Sequence, residues 1–301
     1  MINRFKGDFI LIMAALFYGS GLVAQSKGND LGPWTFTALR FLVGAVILIP
    51  VIFFIQRRKT EEEKASEYSI RQMLPGAFWI GAALVFMVLS QQYALLYTTV
   101  GKAGFISSLY VIGVPIAGVI FLHRKISSRV WVAAVISVIG FYFISLSGGF
   151  DALNKGDVIL LGTALSCVVY FYTIEYFSTR ADPFLFTMLQ FLATGLLSLI
   201  GSLIFELEAW SRVSDHIGMI VYTGTFVCAI GYSLQMIGQK YVPSERATIL
   251  LSTESLFSLF SGLIILHEVL HFSEYLGCAL IFIAVILVET NGNNERTGQD
   301  I

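Results

Sequence analysis

Ten apolar stretches run through this chain of 301 residues, each about as long as a membrane is thick. They cover approximately residues 8–26, 33–55, 74–97, 103–122, 130–147, 156–176, 184–205, 217–239, 246–266 and 273–290. A helix needs about 20 mostly apolar residues to cross the hydrocarbon core. Lipid offers no partner to a free N–H or C=O, so such a segment must satisfy its backbone internally, as a helix does. The expected fold class is an all-α polytopic membrane protein with ten transmembrane helices. The joining loops are short, the longest polar stretch being QRRKTEEEKASEYSIRQ at 56–72, and no soluble domain is expected. Composition agrees, with 56% of residues hydrophobic and only 13% charged, against about 25% charged in an average soluble domain. The first segment follows Arg4 and Lys6, as a signal peptide would. Asp8 and the lack of a small-x-small cleavage pattern point instead to a retained first helix.

The stretches fall into two sets. Residues 6–16 read KGDFILIMAAL and residues 155–165 read KGDVILLGTAL, with seven of eleven positions identical at an offset of 149. PWTFTALRFL at 33–42 answers PFLFTMLQFL at 183–192, placing Arg40 opposite Gln190. Lys102-Ala103 answers Arg246-Ala247, and Leu122-His123 answers Leu266-His267, both at an offset of 144. Residues 1–152 and 153–301 thus read as two five-helix copies of one unit. Five is odd, so the second copy enters the membrane from the opposite face. Inverted copies with slightly different packings can exchange those packings, which opens one mouth and closes the other around a site near the midplane. Duplication kept for stability alone is the plainer alternative.

Charge sets the orientation, because Lys and Arg favour the cytoplasmic side. With the N-terminus inside, the cytoplasmic loops and tails hold 14 of the 19 cations, the outer loops hold four, and Arg40 lies within a span. Both termini are expected in the cytoplasm and the chain in the cytoplasmic (plasma) membrane. The net charge is −1 and no basic tail is present, so the expected partners are the lipid bilayer and a small-molecule substrate, not nucleic acid. Cys167, Cys228 and Cys278 sit in apolar runs and read as small buried hydrophobes. No metal is expected. There is no GxxxxGK[ST] phosphate loop, so no nucleotide or other cofactor is expected.

Glu254 is the only acid well inside a span. An intramembrane carboxylate is costly and usually faces a cavity or a partner. It suits a proton carrier or an anchor for a substrate amine, against a packing role through hydrogen bonds to neighbouring helices. Ser258 follows on the same face at i+4. Arg40, the only cation inside a span, either binds a substrate carboxylate or snorkels outward to cap a neighbour. Gln190 keeps its polarity without its charge. Tyr18 and Gln25 share a face of helix 1, Ser107 and Tyr110 a face of helix 4, and Tyr232 and Gln235 a face of helix 8. Gln92 lies near the outer end of helix 3 and Tyr170 in the inner half of helix 6. Aromatic walls with a few polar groups make a small-molecule site. Residues of these types also serve as helix–helix contacts.

Three segments carry a family resemblance. GPWTFTALRFLVGAVIL (32–48), GQKYVPSERATILLSTESLF (238–257) and LHE (266–268), together with the two five-helix units, resemble EamA-type ten-helix members of the drug/metabolite transporter superfamily. The resemblance spans roughly residues 7–290. Where the family often carries Pro after its helix 9 acid, Ser255 stands here. The resemblance implies a secondary transporter of a small polar metabolite such as an amino acid, amine or drug-like compound. An integral membrane enzyme acting on lipid-linked or small hydrophobic substrates is the alternative. It would want two or more acids or histidines at one depth, where the spans offer one acid.

Overall fold

The computed structural model describes residues 2–28, 31–60, 62, 67–94, 97, 106–145, 155–261, 263–264 and 271–289. The chain is helical throughout most of these segments: α1 (Ile2–Gly28), α2 (Pro33–Arg58), α3 (Ile70–Ala94), α4 (Tyr110–Leu122), α5 (Ser128–Ser145), α6 (Lys155–Ser178), α7 (Pro183–Phe205), α8 (Leu207–Gln239), α9 in two pieces (Ser244–Leu251 and Glu254–Ser261), and α10 (Phe272–Glu289). Five of them, α2, α3, α6, α7 and α8, are long and apolar enough to cross a membrane. Within the described residues α4, α5 and α10 are shorter apolar helices. Two helices depart from the continuous spans expected. The middle of α8 widens into a π-helix over Thr223–Tyr232, and α9 is interrupted at Ser252 and Thr253.

Helix contacts follow the repeat. α3 packs on α6 as α8 packs on α1, α4 on α6 as α9 on α1, and α3 on α7 as α8 on α2. Each pair becomes the other when every helix is exchanged for the one five places away. α2 and α7, which are equivalents, pack on one another, and so do α5 and α10. Followed around, α2, α7, α3, α6, α4, α9, α1 and α8 close a ring, with the α5–α10 pair outside it against α4 and α9.

Both pairs of equivalents are antiparallel. Trp34 lies against Gly201, Leu42 against Gly195, and Gly44 against Phe191, so α2 and α7 run in opposite directions. Gly140 lies against Ile281 and Ile144 against Gly277, which sets α5 and α10 likewise. The two copies therefore enter the membrane from opposite faces. Small residues permit this packing, since a side chain at Gly81 would meet the Gln190 carbonyl at 3.0 Å and one at Gly224 the Arg40 carbonyl at 2.9 Å. The outer surface of the bundle carries exposed Phe54, Phe86, Leu165, Ile200, Ile204 and Phe282, while Thr35, Thr187, Gln190, Thr194 and Ser198 are fully buried. Apolar outside and polar inside is the arrangement lipid requires.

Antiparallel packing brings the end of each central helix to the start of the other. At the start of α7, Asp182 accepts hydrogen bonds from Phe184 N and Leu185 N at 3.0 and 2.8 Å, and Gln56, at the end of α2, reaches the same carboxylate at 3.4 Å. At the start of α2 the equivalent cap position is Gly32, which has no side chain to offer. There the carboxylate comes from the partner helix, with Glu206 accepting from Trp34 N at 3.2 Å, Thr35 N at 2.8 Å and the Thr35 hydroxyl at 2.9 Å. Both helices thus have the acid that orphan N–H groups favour.

Gly32 has φ of 101°, and a Cβ there would stand 2.5 Å from Glu206 Oε2. Gly32→Ala should therefore both strain the backbone and displace the cap, at a cost of about 1–3 kcal/mol. Thermal unfolding of the detergent-purified protein checks this. Gly218→Ala, where nothing lies within 4 Å, should leave the midpoint within experimental error.

Candidate functional site

Three hydroxyl contacts, and no proline, mark the interruption of α9. Ser252 Oγ donates to Ile249 O at 2.6 Å, Thr253 Oγ1 to Leu250 O at 2.7 Å, and Ser255 Oγ to Ser252 O at 2.8 Å. Hydroxyls bonded back to i−3 carbonyls compete with the helical ladder and bend the helix. Glu254 sits immediately after this bend, at the first position of the second piece.

Four helices converge on Glu254. Tyr18 of α1, Tyr110 of α4, Cys167 of α6 and Tyr232 of α8 all lie within electrostatic reach of its carboxylate. These helices occupy different sides of the ring, so Glu254 faces the ring interior. Aromatic rings build the walls. Tyr232 is the hub, with ring centroids 5.1 Å from Tyr18, 5.4 Å from Phe191, 6.0 Å from Phe41 and 6.1 Å from Tyr170. Tyr110 stacks on Phe171 at 5.5 Å. Tyr232 closes the π-helical stretch of α8; wide turns of this kind recur at functional sites because they re-aim side chains.

Tyr232 also lies within electrostatic reach of Arg40, as does Cys228. Arg40 is buried, with its guanidinium 5.5 Å from the Phe36 ring and 5.1 Å from the Phe41 ring. Its repeat equivalent Gln190 is also fully buried. The Gln190 amide and the Tyr170 hydroxyl face one another without closing a hydrogen bond. The aromatic wall thus has an acid on one side and a base on the other, with Tyr232 between them.

A hydrogen-bonded chain leaves this wall toward the end of the ring where α1 begins, here called the near end. Tyr18 donates to Gln235 Oε1 at 2.6 Å, Gln235 to Gln239 at 3.1 Å, and Gln239 to the Ser244 hydroxyl and to Phe171 O, both at 3.2 Å. Ser244 N then donates to Glu175 at 3.0 Å. Glu175 and Glu245 both pair with Arg124, at 2.9 and 3.1 Å. Tyr172 donates to Glu245 at 3.0 Å and to Val114 O at 2.7 Å. Partial burial works against the charge on Arg124, but the hydrogen bond to Glu175 and the field of Glu245 outweigh it and hold the guanidinium well above its ordinary pKa. Three further ion pairs lie at this end. Asp8 meets Arg246 at 3.4 Å, both buried, and Lys59 donates to Asp182 and Glu67. Burial opposes the charge on Lys59, and hydrogen bonds to Asp182 and Glu67 more than restore it.

The expected site residues divide accordingly. Glu254, Tyr18, Tyr110, Tyr170, Tyr232 and Gln235 gather in one region, with Arg40 and Gln190 behind Tyr232. Ser258 lies one turn beyond Glu254, its backbone N close against Gly19 of α1. Gln92 is buried near the last turn of α3, with neither amide atom hydrogen-bonded. Ser107 ends a short helical stretch that the turn at Ser108 and Leu109 separates from α4. The Gln25 side chain lies outside the described residues. The near-end network of Arg124, Glu175, Glu245 and Ser244 was not expected. Read along the chain these are ordinary loop and helix-end charges, and only the ring brings them together.

Comparison with known proteins follows the same division. The model of the EamA-like transporter family matches the chain twice, at residues 5–146 and 154–290. An uncharacterized transporter of Archaeoglobus fulgidus is 27% identical, covering 95% of this chain and 87% of its own. The uncharacterized transporter YwfM of Bacillus subtilis is 21% identical, covering 97% and 96%. The threonine/homoserine exporter RhtA of Escherichia coli K12 is 27% identical, covering 87% and 83%. One solved crystal structure shares the fold with a TM-score of 0.80 at 18% identity, over 96% of this chain and 98% of the other. These relatives are transporters, and the membrane-enzyme alternative finds no support among them. The chain belongs to the EamA-like transporter family, as a multi-pass integral membrane protein that transports a small molecule.

Proposed function

We propose that the chain is a secondary transporter that moves a small amino compound, of the amino-acid class, across the cytoplasmic membrane by alternating access, with both termini in the cytoplasm. The observation that carries this reading is Glu254, a lone carboxylate inside a ring of aromatic side chains from several helices. Among the described residues no Lys, Arg or His comes within ion-pair distance of it. A carboxylate so placed calls for a proton or an organic cation. Aromatic faces around it suit an ammonium group, which they attract through the ring quadrupole. Arg40 and Gln190, on the other side of Tyr232, suit the carboxylate of the same zwitterion. The name of RhtA, a threonine/homoserine exporter, supports an amino acid as substrate. The antiparallel equivalents α2 and α7 support the exchange of packings between the two copies.

Three tests bear on this reading. In reconstituted protein, Glu254→Gln should weaken the apparent affinity for threonine in counterflow by about tenfold to a hundredfold, the range for a lost charge-assisted hydrogen bond. Retained counterflow without net proton coupling would assign Glu254 to proton carriage instead. Unchanged affinity with unchanged pH dependence would leave it a packing residue. Arg40→Gln should raise the apparent substrate constant while leaving the amount of folded protein unchanged, because Gln already stands at the equivalent position 190. For orientation, a cysteine at exposed Arg71 should react only with reagents that reach the cytoplasm, and one at exposed Asp215 only with reagents added outside. Reaction of both from one side would refute the topology.

A further inference from the structure

The ring order places α6 and α8 on opposite sides of the lumen, separated by α3, α7 and α2 in one direction and by α4, α9 and α1 in the other. At the near end they nevertheless touch. Gln239 of α8 and Ser244 of α9 both donate to Phe171 O of α6, at 3.2 and 3.1 Å. Opposite sides of the ring meet there, at a pinch. Immediately beyond the pinch, on the near side, Arg124 from the α4–α5 connection bridges Glu175 at the end of α6 and Glu245 at the start of α9. Tyr172 stacks against Arg124, 5.3 Å from its guanidinium, and hydrogen-bonds both Glu245 and the α4 backbone. Ser244 N is tied to Glu175. Three helices that enclose the lumen on one side are thereby fastened at their ends by charge.

We propose that Arg124, Glu175 and Glu245 form the latch of the near-end gate, and that they hold the transporter closed on that face until the three helix ends separate. This rests on the alternating-access reading above. Two observations set the latch apart from an ordinary surface ion pair. Glu245 is almost wholly buried, its side chain only 6% exposed, while Arg124 keeps 35% of its surface in solvent. Water can therefore take up the guanidinium when the network opens, whereas it cannot reach the carboxylate while the gate is shut. The sequence of the other copy also does not repeat the latch. The repeat offsets carry Arg124, Glu175 and Glu245 onto Glu268, Ser26 and Gly101, a set with no cation and one acid. The hydrogen-bonded chain Tyr18–Gln235–Gln239–Ser244–Glu175 makes the aromatic wall and the latch one connected unit.

Native Cys167 reports on the gate. It lies on α6 one turn beyond the Phe171 pinch, toward the site, and is mostly buried. In a Cys228→Ala, Cys278→Ser background, its reaction with a charged, membrane-impermeant thiol reagent is followed in sealed vesicles of each orientation. Arg124→Gln, and independently Glu175→Gln, should raise the rate from the near side by about fivefold, the shift expected from weakening one partly exposed ion network. The paired exchange Arg124→Glu with Glu245→Arg should restore the slow rate, because the arginine then carried by α9 still meets an acid from each of the other two segments. A near-side rate unchanged in both single variants overturns the latch, and so does a paired exchange as fast as the single variants. The label needs no substrate. Threonine counterflow in the same vesicles tests the transport reading separately, so its absence beside the expected labelling pattern would reject that reading and leave the latch standing.

Discussion

The contact between α2 and α7 is the one on which the rest of the architecture depends. In lipid the hydrophobic effect does not draw helices together, so close packing and backbone approach must do so. Here Gly195 and Gly201 on α7 receive Leu42 and Trp34 of α2, while Gly44 receives Phe191. Because α2 and α7 are equivalents, their antiparallel contact also defines the two-fold relation of the copies. The contacts of α3 with α6 and α7, and of α4 with α6, each recur in the other copy around this pair. The cap carboxylates illustrate how far the equivalence is kept. Asp182 serves its own helix and Glu206 serves its neighbour, so each helix start meets an acid although the acid has moved from one chain position to another.

Much of this was legible beforehand. Span lengths and the offsets of 149 and 144 encode an all-helical fold in two copies, because lipid leaves the backbone few choices. Glu254 was legible for the same reason, since a single acid in an apolar run stands out. What could not be read is what depends on lateral neighbours. Tyr170 and Tyr172 are two residues apart, yet one joins the aromatic wall and the other bonds Glu245, because they leave α6 on different faces toward different helices. Arg124, Glu175 and Glu245 belong to three separate segments and gain their meaning only when the ring closes. The burial of Arg40 was likewise not readable from its position in the span. Its neighbours Phe36 and Phe41 flank the guanidinium within the protein.

The site is built from parts that individually look like packing. Tyrosines, glutamines and glycines are common where helices meet in a bilayer, and several here do serve that purpose. The distinction lies in convergence. Tyr232 touches four other helices through its ring contacts with Tyr18, Phe191, Phe41 and Tyr170, and it lies within electrostatic reach of both Glu254 and the buried Arg40. Polarity of opposite sign on the two sides of one aromatic surface gives a bound molecule a direction as well as a place.

The bend in α9 has a consequence for how that helix can move. A proline breaks a helix by removing a backbone donor and inserting a ring, and neither change can be undone by rotation. At the interruption of α9, Ser252, Thr253 and Ser255 lend their hydroxyls to carbonyls at i−3, while each keeps its own N–H. The covalent chain therefore retains every donor that an unbroken helix would use. Straightening the helix would rotate side-chain and backbone torsions without loss of any donor, and the carboxylate of Glu254 is mounted on the piece that such a change would turn.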